Sequence, residues 1–336
     1  MLELLVAPSY KREIHNSLIT DVFNSPGSLG NFVSTGDIEH DYFESVQDGN
    51  PVVRTYNNFT INEGHVVTPT NRCKGLYLNI LGDLTVNGTL SMTARGCVGE
   101  GCNIGIDYSE RVIYYASENI FPDDFTVIGP VGGLGIVGPR CSDAVNNACG
   151  SGGGAGEENS GVRGGNGTCF SGGSGAGGGC SYHSGRSYAR YYGYAGNDNG
   201  GAGGDGYYHG GNCAAYGGGG GAGNPGGTCR KQSSRNGQNG TGGLLILFCN
   251  RLVLGENGKI ESNGSNGGDG EKGRTDVRYA SRVGSGSGGG AIHIFYKQII
   301  GNINNITANG GKKGICPNED SWSSDGGNGT INLVKM

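Results

Sequence analysis

Apolar and polar positions recur as a unit in this chain. Residues 75–96 open on a glycine and alternate through Leu76, Leu78 and Ile80. They break at Gly82, alternate again at Leu84 and Val86, and end on Arg95-Gly96. Residues 243–264 and 290–310 repeat the order of strand, break, strand and Asn-Gly, and residues 329–336 hold the first half of another copy. Period-two alternation bounded by glycine predicts strands. Strands that recur in this way bury their apolar faces only against one another, so stacking is expected. The copies start 168, 47 and 39 residues apart, which excludes a uniform solenoid. The expected fold is all-β: stacked strand units, like a β-solenoid or sandwich, with a long segment inserted between the first and second copies.

Glycine has its own period. In residues 129–243, 42 of 115 positions are glycine, and runs such as Gly129, Gly132, Gly135, Gly138 and Gly217, Gly220, Gly223, Gly226 keep every third place. Period three is the repeat of the polyproline II helix, which has no internal hydrogen bonds. The phase resets too often, and proline is too scarce at nine residues, for collagen. A bundle of short polyglycine II helices is the expectation for this segment. Four regions follow: 1–50 as an attachment region with a short helix expected around Ile14, Leu18 and Val22, 51–128 as strands, 129–243 as the glycine-rich region, and 244–336 as strand repeats with glycine-rich returns.

Composition narrows the class. Charged residues are 16% and apolar residues 34% of the chain, both below ordinary globular usage. A net charge of −5 is the wrong sign for a nucleic-acid partner. The apolar patch at residues 1–10 is too short for a secretory signal, and nothing approaches a membrane span, so synthesis in the cytoplasm without membrane insertion is expected. Eleven cysteines, an odd number, read as reduced thiols. Cys97 and Cys102 lack the partners a zinc site needs, and no metal or cofactor is expected.

Candidate chemistry is sparse. Gly201, Gly203 and Gly206 fit G-x-G-x-x-G but do not lead from a strand into a helix, so the dinucleotide reading fails. No nucleophile, zincin or P-loop motif occurs, and Asp123-Asp124 and Glu157-Glu158 read as solvated turns. His293, between Ile292 and Ile294, is expected to point outward from a strand. Residues 181–216 differ from the rest. They gather Tyr182, Tyr188, Tyr191, Tyr192, Tyr194, Tyr207, Tyr208 and Tyr216 with His183, His209, Arg186 and Arg190. Tyrosine among Gly, Ser and Arg is the composition of recognition loops, because the ring gives a rigid amphipathic surface at low entropic cost. The same tyrosines also suit sealing the sides of a glycine bundle.

The glycine runs at 129–243 and 264–273, with the tyrosine-rich segment between them, resemble the glycine-rich adhesins at the tips of bacteriophage tail fibres. The unit from Leu84 to Gly96 is similar to an element of glycine-rich phage proteins. The resemblance implies a non-enzymatic receptor-binding protein of the virion. Residues 1–50 would join other tail proteins or copies of the chain, and the twelve residues above would bind a bacterial surface glycan or outer-surface protein. The rival is a structural subunit of an extracellular filament, joined through its N-terminal arm. Ice binding and glycan cleavage are weaker readings.

Overall fold

The computed structural model describes residues 29–37, 41–47, 49–96, 103–107, 111–116, 126–128, 174–175, 180–184, 187–191, 200–201, 207–209, 214–216, 242–266, 289–312, 325 and 328–336. The helix expected near Ile14 and most of the glycine runs lie outside them.

The described strands wind in coils. The first coil holds β1 (Phe32–Val33) and β2 (Tyr42–Phe43). The second holds β3 (Val52–Tyr56), β4 (Phe59–Ile61) and β5 (Val66–Pro69), and the third β6 (Leu76–Ile80), β7 (Asp83–Val86) and β8 (Thr89–Ser91). Between the third and fourth coils the chain makes β9 (Asn103–Asp107), β10 (Val112–Ala116), β11 (Thr126–Ile128), β12 (Ser174–Gly175), β13 (Cys180–Ser184), β14 (Ser187–Tyr191), β15 (Gly200–Gly201), β16 (Tyr207–His209) and β17 (Ala214–Tyr216). The fourth coil is β18 (Leu244–Leu254) and β19 (Lys259–Glu261). The fifth is β20 (Ala291–Ile300) and β21 (Ile306–Thr307), and a half coil, β22 (Thr330–Lys335), follows.

Each coil lays its strands parallel on those of the coil before. The long strand β18 pairs with β6 along its first half and with β7 along its second, so one fourth-coil strand continues two third-coil strands. This gives an eight-stranded parallel sheet and, one corner on, a five-stranded sheet ordered β2-β5-β8-β19-β21. Equivalent residues form columns through the stack. Val52, Leu76, Leu245, Ile292 and Ile331 make one column. Phe32, Phe59, Leu84, Leu252 and Ile299 make a second, and Val67, Leu90, Ile260 and Ile306 a third on the short sheet. The inner residues of these columns form the main core between the two sheets. Phe32 stacks on Phe59 with ring centroids 4.2 Å apart, beginning that core at its N-terminal end.

The stacked units join residues on both sides of the insertion in one body. Along β6 the alignment differs by one position from the glycine-anchored reading, since Leu76 pairs with Leu245 and not with Leu244, whereas along β7 the glycine-anchored alignment holds, with Leu84 on Leu252. Gly75 therefore takes a place in line with Leu244, and its φ of +144° is one that L side chains rarely adopt.

A second core lies on the outer face of the long sheet. Tyr77, Leu244, Ile246, Phe248, Ala291 and Phe295 are buried there with Ile106 and Ile113, which come from the insertion. Because both faces of β18 are covered, its first six residues are all apolar and buried. Arg111 helps hold this cover: Nη1 donates to Asn79 Oδ1 at 2.8 Å and Nη2 to Asn250 Oδ1 at 3.3 Å.

The expected polyglycine II bundle is not among the described elements. Within 129–243 the described residues are short strands, including a four-stranded antiparallel sheet ordered β14-β13-β17-β16.

Candidate functional site

Parallel coils leave one corner free to vary in length. From the second coil on, the turns between the two sheets are short, whereas the return from the short sheet to the next long-sheet strand ranges widely. Between the second and third coils it is only residues 70–75. Between the third and fourth it holds the 150-residue excursion whose base is a hydrogen bond from Gly243 N–H to the Met92 carbonyl, 2.9 Å. The next two excursions close in the same manner, Gly290 N–H to Ser262 O and Gly329 N–H to Ala308 O, each at 2.7 Å. Strand spacing in a sheet is about 4.8 Å, so the three bases sit within roughly 10 Å along one edge.

Glycine makes those bases possible. A Cβ on Gly290 would overlap the Gly243 carbonyl and the Ser262 hydroxyl, and one on Gly329 would overlap the Gly290 carbonyl. Side chains further fix the strands at the bases: Asn309 N–H donates to Asn263 Oδ1 at 2.8 Å, and Lys312 N–H to Asn266 Oδ1 at 2.8 Å. Insertions at equivalent corners of a stacked repeat emerge on one face, the usual place for binding residues.

The largest insertion carries the candidate residues, and most of them stand on strands. Tyr182 and His183 are in β13, Tyr188, Arg190 and Tyr191 in β14, Tyr207, Tyr208 and His209 in β16, and Tyr216 in β17. Arg186, Tyr192 and Tyr194 lie outside the described residues. The register sets Tyr191, Cys180, Tyr216 and Tyr207 in one cross-strand row and Arg190, Ser181, Ala215 and Tyr208 in the next. His183 pairs with Tyr188. The segment expected as a loop is thus largely a small sheet. The signal was present: Gly185-Arg186 separates two five-residue runs, each carrying tyrosine, by the two residues of a tight hairpin.

A second constellation escaped the sequence reading because its members meet only through the fold. At the N-terminal corner Ser34 Oγ lies 2.8 Å from His65 Nδ1, and Asp41 Oδ2 lies 3.9 Å from that same nitrogen. A hydrolytic triad needs serine and carboxylate on opposite ring nitrogens. Here both approach Nδ1, Ser34 is buried, and its Oγ accepts the Asn62 N–H at 2.8 Å. Asp41 in turn accepts from the N–H groups of Thr35 and Gly36 at 2.9 and 2.7 Å. These bonds tie the first coil to the second and leave no nucleophile to attack.

His293 does point outward from the coil, as its neighbours imply. The outer core nevertheless covers it to 4% exposure, with both ring nitrogens lacking a hydrogen-bond partner. Cys249 is likewise buried, and desolvation pushes its thiol up to about 12, so it is unreactive. Among the described residues no three His, Cys, Asp or Glu side chains come together to hold a metal ion, and no helix is long and apolar enough to cross a membrane. Scans against protein-family models, curated proteins and solved structures return no match to this chain.

Proposed function

We propose that this chain is a non-enzymatic receptor-binding protein in which the stacked coils present the 97–241 insertion to a bacterial surface. The observation that carries the reading is the pairing of a tyrosine- and arginine-rich sheet with a base pinned to a two-layered parallel core. Tyrosine rows on a rigid support lose little entropy on binding, and their rings stack on sugar faces while the hydroxyls bond to sugar hydroxyls. The ligand class is a surface glycan or an outer-surface protein. The resemblance of the glycine runs to tail-fibre tip adhesins places the protein, in this proposal, on a phage tail. The triplet glycine runs, in this proposal, form short polyglycine II helices.

Binding of the purified full chain to host cells tests this reading. Replacing Tyr188, Arg190 and Tyr208 together by serine is expected to lower the affinity at least tenfold, with the unfolding midpoint of the coils unchanged. Unchanged binding by that variant refutes the assignment.

A further inference from the structure

The register of the antiparallel sheet β14-β13-β17-β16 sorts the candidate residues between its two faces. Residues directly opposite one another in such a sheet share a face, and successive residues along a strand alternate. The row Tyr191, Cys180, Tyr216 and Tyr207 therefore shares one face with Tyr182 and His209. The row Arg190, Ser181, Ala215 and Tyr208 takes the other face, together with His183 and its partner Tyr188. The first face carries four tyrosines and neither lysine nor arginine. The second carries Arg190, the arginine of these strands.

Charge separates the faces further. A guanidinium stays protonated at every physiological pH and is rarely buried unless an anion pairs with it. The four strands contain neither aspartate nor glutamate. Residues 159–197 hold Arg163, Arg186 and Arg190 and no acidic residue, and Asp198 and Asp205 follow in the connection from β14 to β16. Positive charge thus gathers around β13 and β14 in a chain whose net charge is −5. Of the two faces, the uncharged tyrosine face is the one suited to packing, and the Arg190 face is the one suited to an anionic ligand.

We propose that the face bearing Arg190, Tyr188, His183 and Tyr208 binds an acidic glycan, a polysaccharide with carboxylate or phosphate groups on its sugars. This rests on the receptor-binding reading above and narrows its ligand. The spacing suits such a polymer. Arg190 and Tyr208 hold the two ends of their row, three strand spacings or roughly 14 Å apart, and the small residues Ser181 and Ala215 hold the middle. Small residues between large ones leave room for a sugar ring. Tyr188 stands two residues from Arg190 along β14, about 7 Å away, so one sugar can meet both positions. A guanidinium takes carboxylate or phosphate oxygens in a bidentate pair, and a tyrosine ring offers the sugar a stacking surface at low entropic cost.

Binding of the full chain to polysaccharide extracted from the host cells tests the proposal, with the polymer native, carboxyl-reduced or dephosphorylated. Wild type is expected to bind the native polymer, more weakly as salt is added, and to lose at least tenfold in affinity after one of the two treatments. The treatment that acts identifies the anion. Arg190→Gln is expected to lose a similar factor on the native polymer and nothing further on the treated one, while Arg190→Lys keeps part of the affinity. Equal binding of wild type to all three polymers overturns the proposal, and these arms need no variant to fold. Wild-type affinity in Arg190→Gln overturns it too. If the Tyr188, Arg190 and Tyr208 triple variant still fails on cells, the receptor-binding reading then stands and only the acidic ligand falls. Binding that is absent on the extracted polymer and abolished by protease treatment of the cells assigns an outer-surface protein, and that also overturns the proposal.

Discussion

Protonation of His293 is the perturbation whose cost follows most directly from the structure. The imidazole stands in the outer core in line with Ile246 on β18 and Asn332 on β22, 4% exposed and without a partner for either nitrogen. Burial lowers its pKa from 6.5 to about 4. The unfolded chain therefore takes up a proton at a pH where the folded chain does not. Stability from this group is fully present above pH 6.5, falls as the pH drops toward 4, and falls no further below it. A difference of that size corresponds to about 3 kcal/mol. At pH 7 the neutral ring still leaves two polar atoms unpaired, at a cost of about 1–3 kcal/mol. His293→Leu removes both penalties. Denaturant unfolding of wild type and variant between pH 7.5 and 4 is the assay, because groups titrating in both chains cancel in the difference. The variant is expected to be the more stable at pH 7, and its advantage to grow by about 3 kcal/mol on reaching pH 4. A difference that does not change with pH refutes the reasoning.

Gly290→Ala forces its methyl into the Gly243 carbonyl, and a loss of more than about 2 kcal/mol in denaturant unfolding is expected. Arg111→Ala leaves Asn79 and Asn250 short of a charged donor, so the outer cover loosens at a cost of about 1–3 kcal/mol. Hydrogen exchange should then rise in β9 and β10 before it rises in β6. Fluorophosphonate probes should leave Ser34 unlabelled in the folded chain, since its hydroxyl is buried and bonded; mass spectrometric labelling there contradicts the clamp reading.

Much of the coil stack was legible because each strand buries one inward row, which leaves period-two alternation at Leu76, Leu78 and Ile80 and again at Leu84 and Val86. The one-residue offset of β6 was not legible. Gly75 and Gly243 look equivalent as sequence, yet β6 is offset from β18 by one residue while β7 is not, and nothing in the alternation marks that step. The outer core was hidden for another reason. Its cover includes Ile106 and Ile113, far in the sequence from Leu244 and Phe295 of the same cluster, and no local pattern reports such a grouping. Alternation correctly gave the face His293 occupies and gave nothing on its exposure. The Ser34, Asp41 and His65 cluster is likewise a product of coil stacking. In the tyrosine segment the hairpin spacing at Gly185-Arg186 was overshadowed by the surrounding glycine.

Residues 49–96 and 242–312 form one body across the 97–241 insertion. A site-specific protease sequence placed between Cys229 and Thr241 cuts the chain outside that body. The two fragments are expected to co-elute at native size and part only in denaturant, because β18 is paired with β6 and β7 on one side and β20 on the other. Fragments that separate in native buffer after the cut contradict it.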